Sequence, residues 1–160
     1  MTITIKKMET EEEIRGKALV VWRCWHDAYP GLISREYLDA LSLEKCEDVA
    51  FRWPDNTIIA KDDDRVVGFT GCGTRPDVPE IGEIFSMYVL PEYYGKGVSQ
   101  QLMNARLEKL SQYDEITLWV LKGNKRAIRF YQKCGFVADG NELTDPRLKA
   151  VEIRMVYRRS

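Results

Sequence analysis

The stretch from residue 80 to residue 121 constrains this chain more than any other. It opens with EIGEIFSMYVL, which is apolar and β-rich, and passes through PEYYGKGVS. Apolar residues at helical spacing follow (Val98, Leu102, Met103, Ala105, Leu107 and Leu110), predicting a helix over 98–112, and then comes EITLWVL at 115–121. Strand, glycine turn, helix, strand is a βαβ crossover, and the flanking segments have to join the sheet it belongs to.

Before the crossover, TITIK at 2–6 alternates β-branched residues and reads as a strand. TEEE at 10–13 is a capping box: Thr10 can accept from a backbone N–H while Glu13 reaches back. Ile14, Ala18, Val21, Trp22, Trp25 and Tyr29 then recur at spacings of three and four, one face of a helix of about five turns. YPGL at 29–32 breaks it. A short helix from Ser34 carries Tyr37, Leu38 and Leu41, and further helical turns are expected over 43–52, before Pro54. TIIAK at 57–61 and RVVGFTGCG at 65–73 make a hairpin around DDD at 62–64, expected as a solvated tip rather than a metal site.

After the crossover, NKRAIRFYQKC at 124–134 is an amphipathic helix closed by Gly135. Phe136 and Val137 begin a short strand, and KAVEIRMVY at 149–157 is the last one. The order predicts a mixed α/β sheet in one domain over residues 1–160, with antiparallel strands early and a crossover in the middle.

Composition narrows the function. Apolar residues make up 44% of 160 residues, enough for one sizeable core, and the net charge of −1 argues against a nucleic-acid or anionic-membrane partner. No run approaches the ~20 apolar residues of a membrane span, and the first residues show no leader. Cys24, Cys46, Cys72 and Cys134 form no C-x-x-C pair and fit no zinc spacing, so reduced thiols in a cytoplasmic protein are expected, without a metal. His26 is the sole histidine. Cys24 lies two positions from it on one helix, where side chains do not face each other, so His26 is expected as a surface or pocket residue rather than a base.

The glycine turn has a chemistry of its own. The first amides of a helix have no internal partner, and the helix dipole favours an anion there. Gly95 and Gly97 permit unusual φ and let a phosphate come close to the backbone, although glycine is also common in ordinary βα turns. A Walker A loop is absent. GKGVSQ ends in Gln100, not the third glycine of a dinucleotide fingerprint, and antiparallel strands precede it.

Two segments carry a resemblance. Tyr94 to Ser99 is similar to the R/Q-x-x-G-x-G/A pyrophosphate motif of the GCN5-related N-acetyltransferases: Gly97 matches, whereas Tyr94 and Ser99 depart from it. NKRAIRFYQKCGF resembles the family's N-x-x-A-x-x-F-Y-x-x-x-G-F segment at Asn124, Ala127, Phe130, Tyr131, Gly135 and Phe136. The element order resembles the family along essentially the whole chain, which implies a mixed, mostly antiparallel sheet of about seven strands flanked by helices.

The resemblance implies transfer of an acetyl group from acetyl-coenzyme A to a primary amine. Its pyrophosphate would sit on the amides of Tyr94, Gly95, Lys96, Gly97, Val98 and Ser99, with Asn124 and Phe130 also on the cofactor side. The pantetheine arm would lie along Met87, Tyr88 and Val89 as an added strand, with an amide near Val89 polarising the thioester. Tyr131 would be the general acid for the thiolate; as a helix residue it would otherwise be packing. Glu83 would be the base or the acceptor's anionic contact, sharing a strand face with Ile81, Phe85 and Met87, with Glu80 a weaker candidate; it could also be simply exposed. Trp25, Tyr29 and Tyr37 would wall the acceptor pocket, against a core reading for Trp22. A small-molecule amine is the expected acceptor. A peptide or protein amine, or a non-catalytic acyl-coenzyme A sensor, are the alternatives, and a homodimer paired through the last two strands fits the same order.

Overall fold

The computed structural model describes residues 1–75 and 77–159. Its elements are β1 (Ile3–Lys7), α1 (Glu11–Ala28), α2 (Arg35–Ala40), α3 (Leu43–Arg52), β2 (Thr57–Asp62), β3 (Arg65–Thr74), β4 (Gly82–Val89), α4 (Val98–Lys109), β5 (Glu115–Leu121), α5 (Lys125–Lys133), β6 (Val137–Asp145) and β7 (Ala150–Arg158), with a single 3₁₀ turn at Pro91–Tyr93. The seven strands form one sheet in the order β1-β2-β3-β4-β5-β7-β6. Among the described residues only β4 and β5 pair in parallel. The helices α1 to α3 cover one face, while α4 and α5, each inside a crossover, cover the other.

Local chemistry fixes the helix starts. Thr10 Oγ1 accepts from the Glu13 amide at 3.1 Å, and Glu13 Oε1 accepts from the Thr10 amide at 3.1 Å and the Glu9 amide at 2.8 Å. The same carboxylate, in a residue only 4% exposed, takes Lys6 of β1 at 2.6 Å and Lys61 of β2 at 3.3 Å. One cap therefore also ties α1 to two strands. Ser34 caps α2, Ser42 caps α3, and Asn124 caps α5 through the Ala127 amide at 3.2 Å.

Three expectations change. The strand expected over 80–90 begins at Gly82, leaving Glu80 in a turn and Ile81 bonded back to Val78. The helix expected to reach 112 ends at Lys109. The short strand at Phe136–Val137 is a nine-residue edge strand, paired along β7. The hairpin tip is tied down as well as solvated: Asp62 accepts from the Thr2 amide and from the Tyr93 hydroxyl, the latter at 2.7 Å.

The central strand β4 is asymmetric. Its edge toward β3 is paired from Gly82 to Val89, with Phe85 as an extra residue between the pairs Gly71↔Ser86 and Cys72↔Ile84. Its edge toward β5 is paired at only three positions, Gly82↔Ile116, Glu83↔Thr117 and Ile84↔Leu118. The two strands part at the bulge, as a bulge bends the strand that carries it.

Candidate active site

The parting of β4 and β5 opens into a cleft of ≈ 910 Å³. Met87, Tyr88 and Val89 line it from β4, and Leu118 to Leu121 from β5. Leu90 donates its N–H to Val67 on β3 at 2.8 Å, so strand alternation turns the Val89 N–H the other way, toward the opening. The Val89 carbonyl is already taken by the Cys24 thiol at 3.3 Å. Burial pushes that thiol up to about 12, which keeps its proton available for the bond.

The mouth of the cleft is the glycine turn. Gly95 and Gly97 have φ of +73° and +81°, and a Cβ at either would meet nothing within 4 Å, so the space before the backbone is open. Gly97 is the N-cap of α4 and brings no side-chain cap. The first helical bond is from the Gln101 amide to Gly97 O at 3.1 Å, which leaves the amides of Val98, Ser99 and Gln100 without helical partners. Tyr94, Gly95, Gly97, Val98 and Ser99 line the mouth; Lys96 does not, its ammonium lying 5.6 Å from the Tyr93 ring centroid. Where the motif would have Arg or Gln, Tyr94 carries the Arg126 guanidinium over its ring, 3.2 Å from the centroid. Arg126 lies two positions after Asn124 in the second motif, and nothing in its spacing points to Tyr94.

From the other face, α5 contributes Phe130 and Tyr131, and Asn124 stands at its cap. Tyr131 is 8% exposed, with Phe136 edge-on at 6.0 Å between ring centroids. Burial raises its phenol well above the ordinary value, and neighbouring Tyr88 adds to the rise. The gap thus brings a residue of the α5 face next to one of the α1 face. Tyr29 donates to the Tyr88 hydroxyl at 3.3 Å, and burial raises both phenols, so all three stay neutral at ordinary pH. Trp25 completes this wall. Its indole Nε1 is buried without a partner of good geometry, although it lies close enough to the Tyr88 hydroxyl to act on its ionisation. Tyr37 is outside the lining and stands behind Trp25, ring centroids 6.1 Å apart.

Glu83 is placed differently from expectation. The bulge adds one residue, so alternation resumes out of phase and Glu83 shares its face with Ser86 and Tyr88, not with Met87. It lies where β4 and β5 are still paired, outside the residues that line the cleft, and Thr117 Oγ1 donates to it at 3.3 Å. Burial raises its pKa, with the Thr117 bond opposing. Other carboxylates line the cleft: Asp27 of α1, Asp145 of β6, and Glu152 of β7, opposite Leu121. His26 points elsewhere, Nε2 lying 2.8 Å from the Leu41 carbonyl, a hydrogen bond in the tautomer protonated there. All four cysteines are free thiols, and among the described residues no group of three or more His, Cys, Asp or Glu could hold a metal. Among them, too, no helix is long and apolar enough to cross a membrane.

These parts fit an extended, phosphate-bearing thioester. Unpaired amides and a guanidinium stand at one end, a strand edge with a free N–H runs along the middle, and a buried indole donor lacks a partner. A seven-stranded sheet that parts beside a glycine turn is the architecture of an acyl-coenzyme A-dependent N-acetyltransferase. The chain belongs to the Acetyltransferase (GNAT) family, whose model matches residues 19–136.

It is 31% identical over 120 residues to an N-acetyltransferase of Archaeoglobus fulgidus, covering 68% of this chain and 79% of that one. The N-acetyltransferase YuaI of Bacillus subtilis is 29% identical over 161 residues, 93% of this chain and 90% of the relative. Among solved structures, the PaiA N-acetyltransferase of Thermoplasma acidophilum in complex with coenzyme A shares the fold, with a TM-score of 0.77, 24% identity and coverage of 99% and 100%. The protein is an N-acetyltransferase with acetyl-coenzyme A as its donor.

Proposed function

We propose that the protein acetylates the primary amine of a small molecule by direct attack within a ternary complex. The observation that carries the small-molecule reading is a closed acceptor end. The connection between α1 and α2 is bound to the β6–β7 turn by the Ser34 amide donating to Leu148 O at 2.6 Å. The same connection packs onto the β5–α5 turn, where a Cβ at Gly123 would lie 2.9 Å from Leu32. Tyr29, Leu121 and Leu148 cluster beneath it with Trp25, Tyr37 and Tyr88 packed around them. A polypeptide acceptor needs a groove open between these turns.

Bound acetyl-coenzyme A supplies an activated acetyl thioester. The amides of Val98, Ser99 and Gln100 receive its diphosphate, supported by the α4 dipole and by Arg126, which brings the positive charge that Tyr94 lacks. Ser99 can add a hydroxyl donor there. The β4 edge at Met87 to Val89 aligns the pantetheine, and the Val89 N–H draws charge onto the acyl oxygen as the amine adds. Tyr131 holds a proton on Oη beside the departing sulfur, and its burial keeps that proton in place across the neutral range. Tyr29 and Trp25 flank the amine's stem.

Release of coenzyme A, followed with a thiol reagent, tests the reading against panels of small primary amines and of peptides. Turnover with small amines and none with peptides is expected. Turnover confined to peptides overturns the acceptor class, and coenzyme A binding without turnover on either panel makes the protein a sensor.

A further inference from the structure

The cleft's acceptor end carries an electrostatic feature that the family motifs do not reach. Asp145, Arg147 and Glu152 all line it. Arg147 is engaged by Asp145, with Nη2 3.0 Å and Nε 3.4 Å from its carboxylate oxygens, and Asp145 also accepts from the Arg147 and Leu148 amides. Glu152 has no such partner: Arg147 reaches it only as a more distant charge. Two carboxylates and one guanidinium leave this end of the cleft with one uncompensated negative charge.

Position makes that charge consequential. Glu152 pairs with Leu121, four residues beyond Thr117, which pairs with Glu83. At about 3.3 Å per residue the two carboxylates are roughly 13 Å apart along β5, on the same face of the sheet. Glu83 sits at the closed end of the parting and Glu152 at the open end. Glu152 is also close enough to Tyr88 to act on its ionisation, and Tyr88 in turn acts on Tyr131. Glu152 is therefore beside the wall formed by Tyr29 and Tyr88, with no cation in contact with it among the described residues and only the more distant Arg147 opposing its charge.

We infer that Glu152 is the acceptor-binding carboxylate, selecting cationic amines on an apolar stem and rejecting acceptors with a carboxylate beside the amine. Resting on the acetyltransferase reading, this names its acceptor class. The half-buried carboxylate favours an ammonium far more than it would in water. The aromatic rings of Trp25 and Tyr29 accommodate the stem and add cation–π attraction. An amino acid would bring its own carboxylate against Asp145 and Glu152, with Arg147 already occupied. Burial, and then Asp145, hold the Glu152 pKa above the ordinary carboxylate value, which suits a group that can also take up the ammonium proton.

The test uses the full chain with 2-phenylethylamine, 1,4-diaminobutane and phenylalanine as acceptors. Wild-type protein is expected to turn over at least one of the two amines and to discriminate against phenylalanine. In Glu152→Gln, which keeps the shape and removes the charge, KM for the amines should rise about 10–100-fold, the range of one charge-assisted hydrogen bond. KM for acetyl-coenzyme A should stay within twofold, and discrimination against phenylalanine should shrink. Glu152→Asp should recover part of the amine KM, which a merely structural role would not produce. An amine KM within twofold of wild type in the Gln variant overturns the inference, as does equal use of phenylalanine by the wild type. If neither amine turns over while coenzyme A still binds by calorimetry, the acceptor inference fails and the donor site stands. A Gln variant whose melting point collapses is replaced by the Asp variant, where an unchanged amine KM would also overturn the inference.

Discussion

The two edges of β4 are paired to very different extents. Toward β3 the strand is paired from Gly82 to Val89, and its residues are locked to a hairpin that α1 covers. Toward β5 it is paired over three residues and then open. The same eight residues serve as a wall on one side and as an incomplete sheet on the other. A ligand with amide groups can complete the second edge because no protein strand does.

Three experiments press on this contrast, the largest effect first. Tyr131→Phe keeps the ring against Phe136 and removes the hydroxyl from the open edge. Turnover should fall about 10²–10⁴-fold, or ~3–5 kcal/mol, while melting temperature and coenzyme A affinity barely change. Since burial raises the phenol's pKa, the wild type should show no Tyr131-dependent decline below about pH 10, and the deficit of the variant should persist across that range. Wild-type turnover in a well-folded variant would leave Tyr131 as packing.

Gly97→Val attacks the mouth. The residue sits at φ +81°, where a β-branched side chain is strained, and its side chain would project into the space before the amides. Coenzyme A affinity by calorimetry should drop about a hundredfold, ~2.7 kcal/mol, with a modest loss of stability. Unchanged affinity would place the phosphate site elsewhere.

Glu13→Gln sits on the closed side and should reverse the pattern, costing stability and sparing coenzyme A affinity. Burial alone would raise this carboxyl, yet Lys6, the amides of Glu9 and Thr10, and Lys61 hold it at about 2 against an ordinary 4.5. A depressed folded pKa stabilises above the unfolded pKa, and that contribution disappears as pH falls from about 4.5 through about 2. The variant should lose about 2 kcal/mol at pH 7 by denaturant titration, and the gap to wild type should close across that acid window. A gap that persisted at pH 2 would assign the loss to packing instead.

Much of this was legible in the sequence because local chemistry decides it. Thr10 with Glu13 is a cap that looks the same in sequence and in structure, whereas Asn124, read as the first residue of its helix, turns out to cap it. EITLWVL is a strand with the bounds its pattern gave. The bulge was not legible: Phe85 is one apolar residue among several, and only its opposition to β3 makes it extra. β6 was mostly missed because, as an exposed edge strand, it has no buried face to impose alternation and takes its order from β7. Lys96 fell outside the lining because motif spacing gives the neighbourhood and not the direction of a side chain, Tyr37 because Trp25 stands in front of it, and Glu83 because β4 and β5 are still paired there. Arg126 and Glu152 reach the cleft through tertiary placement alone, from a helix start and from a strand two neighbours away from β4.

The open edge of β4 also bears on solubility. Unpaired strand edges are templates on which other chains add, the first step toward fibrils. Here the edge lies inside the sheet, between β5 and β3, with α1 on one side and α5 on the other. Another protein's sheet cannot add to an edge that lies between two strands of the same sheet. A slender chain whose amides are spaced by methylenes can enter it. The geometry that makes the edge adhesive to its ligand therefore shields that edge from the protein's own copies.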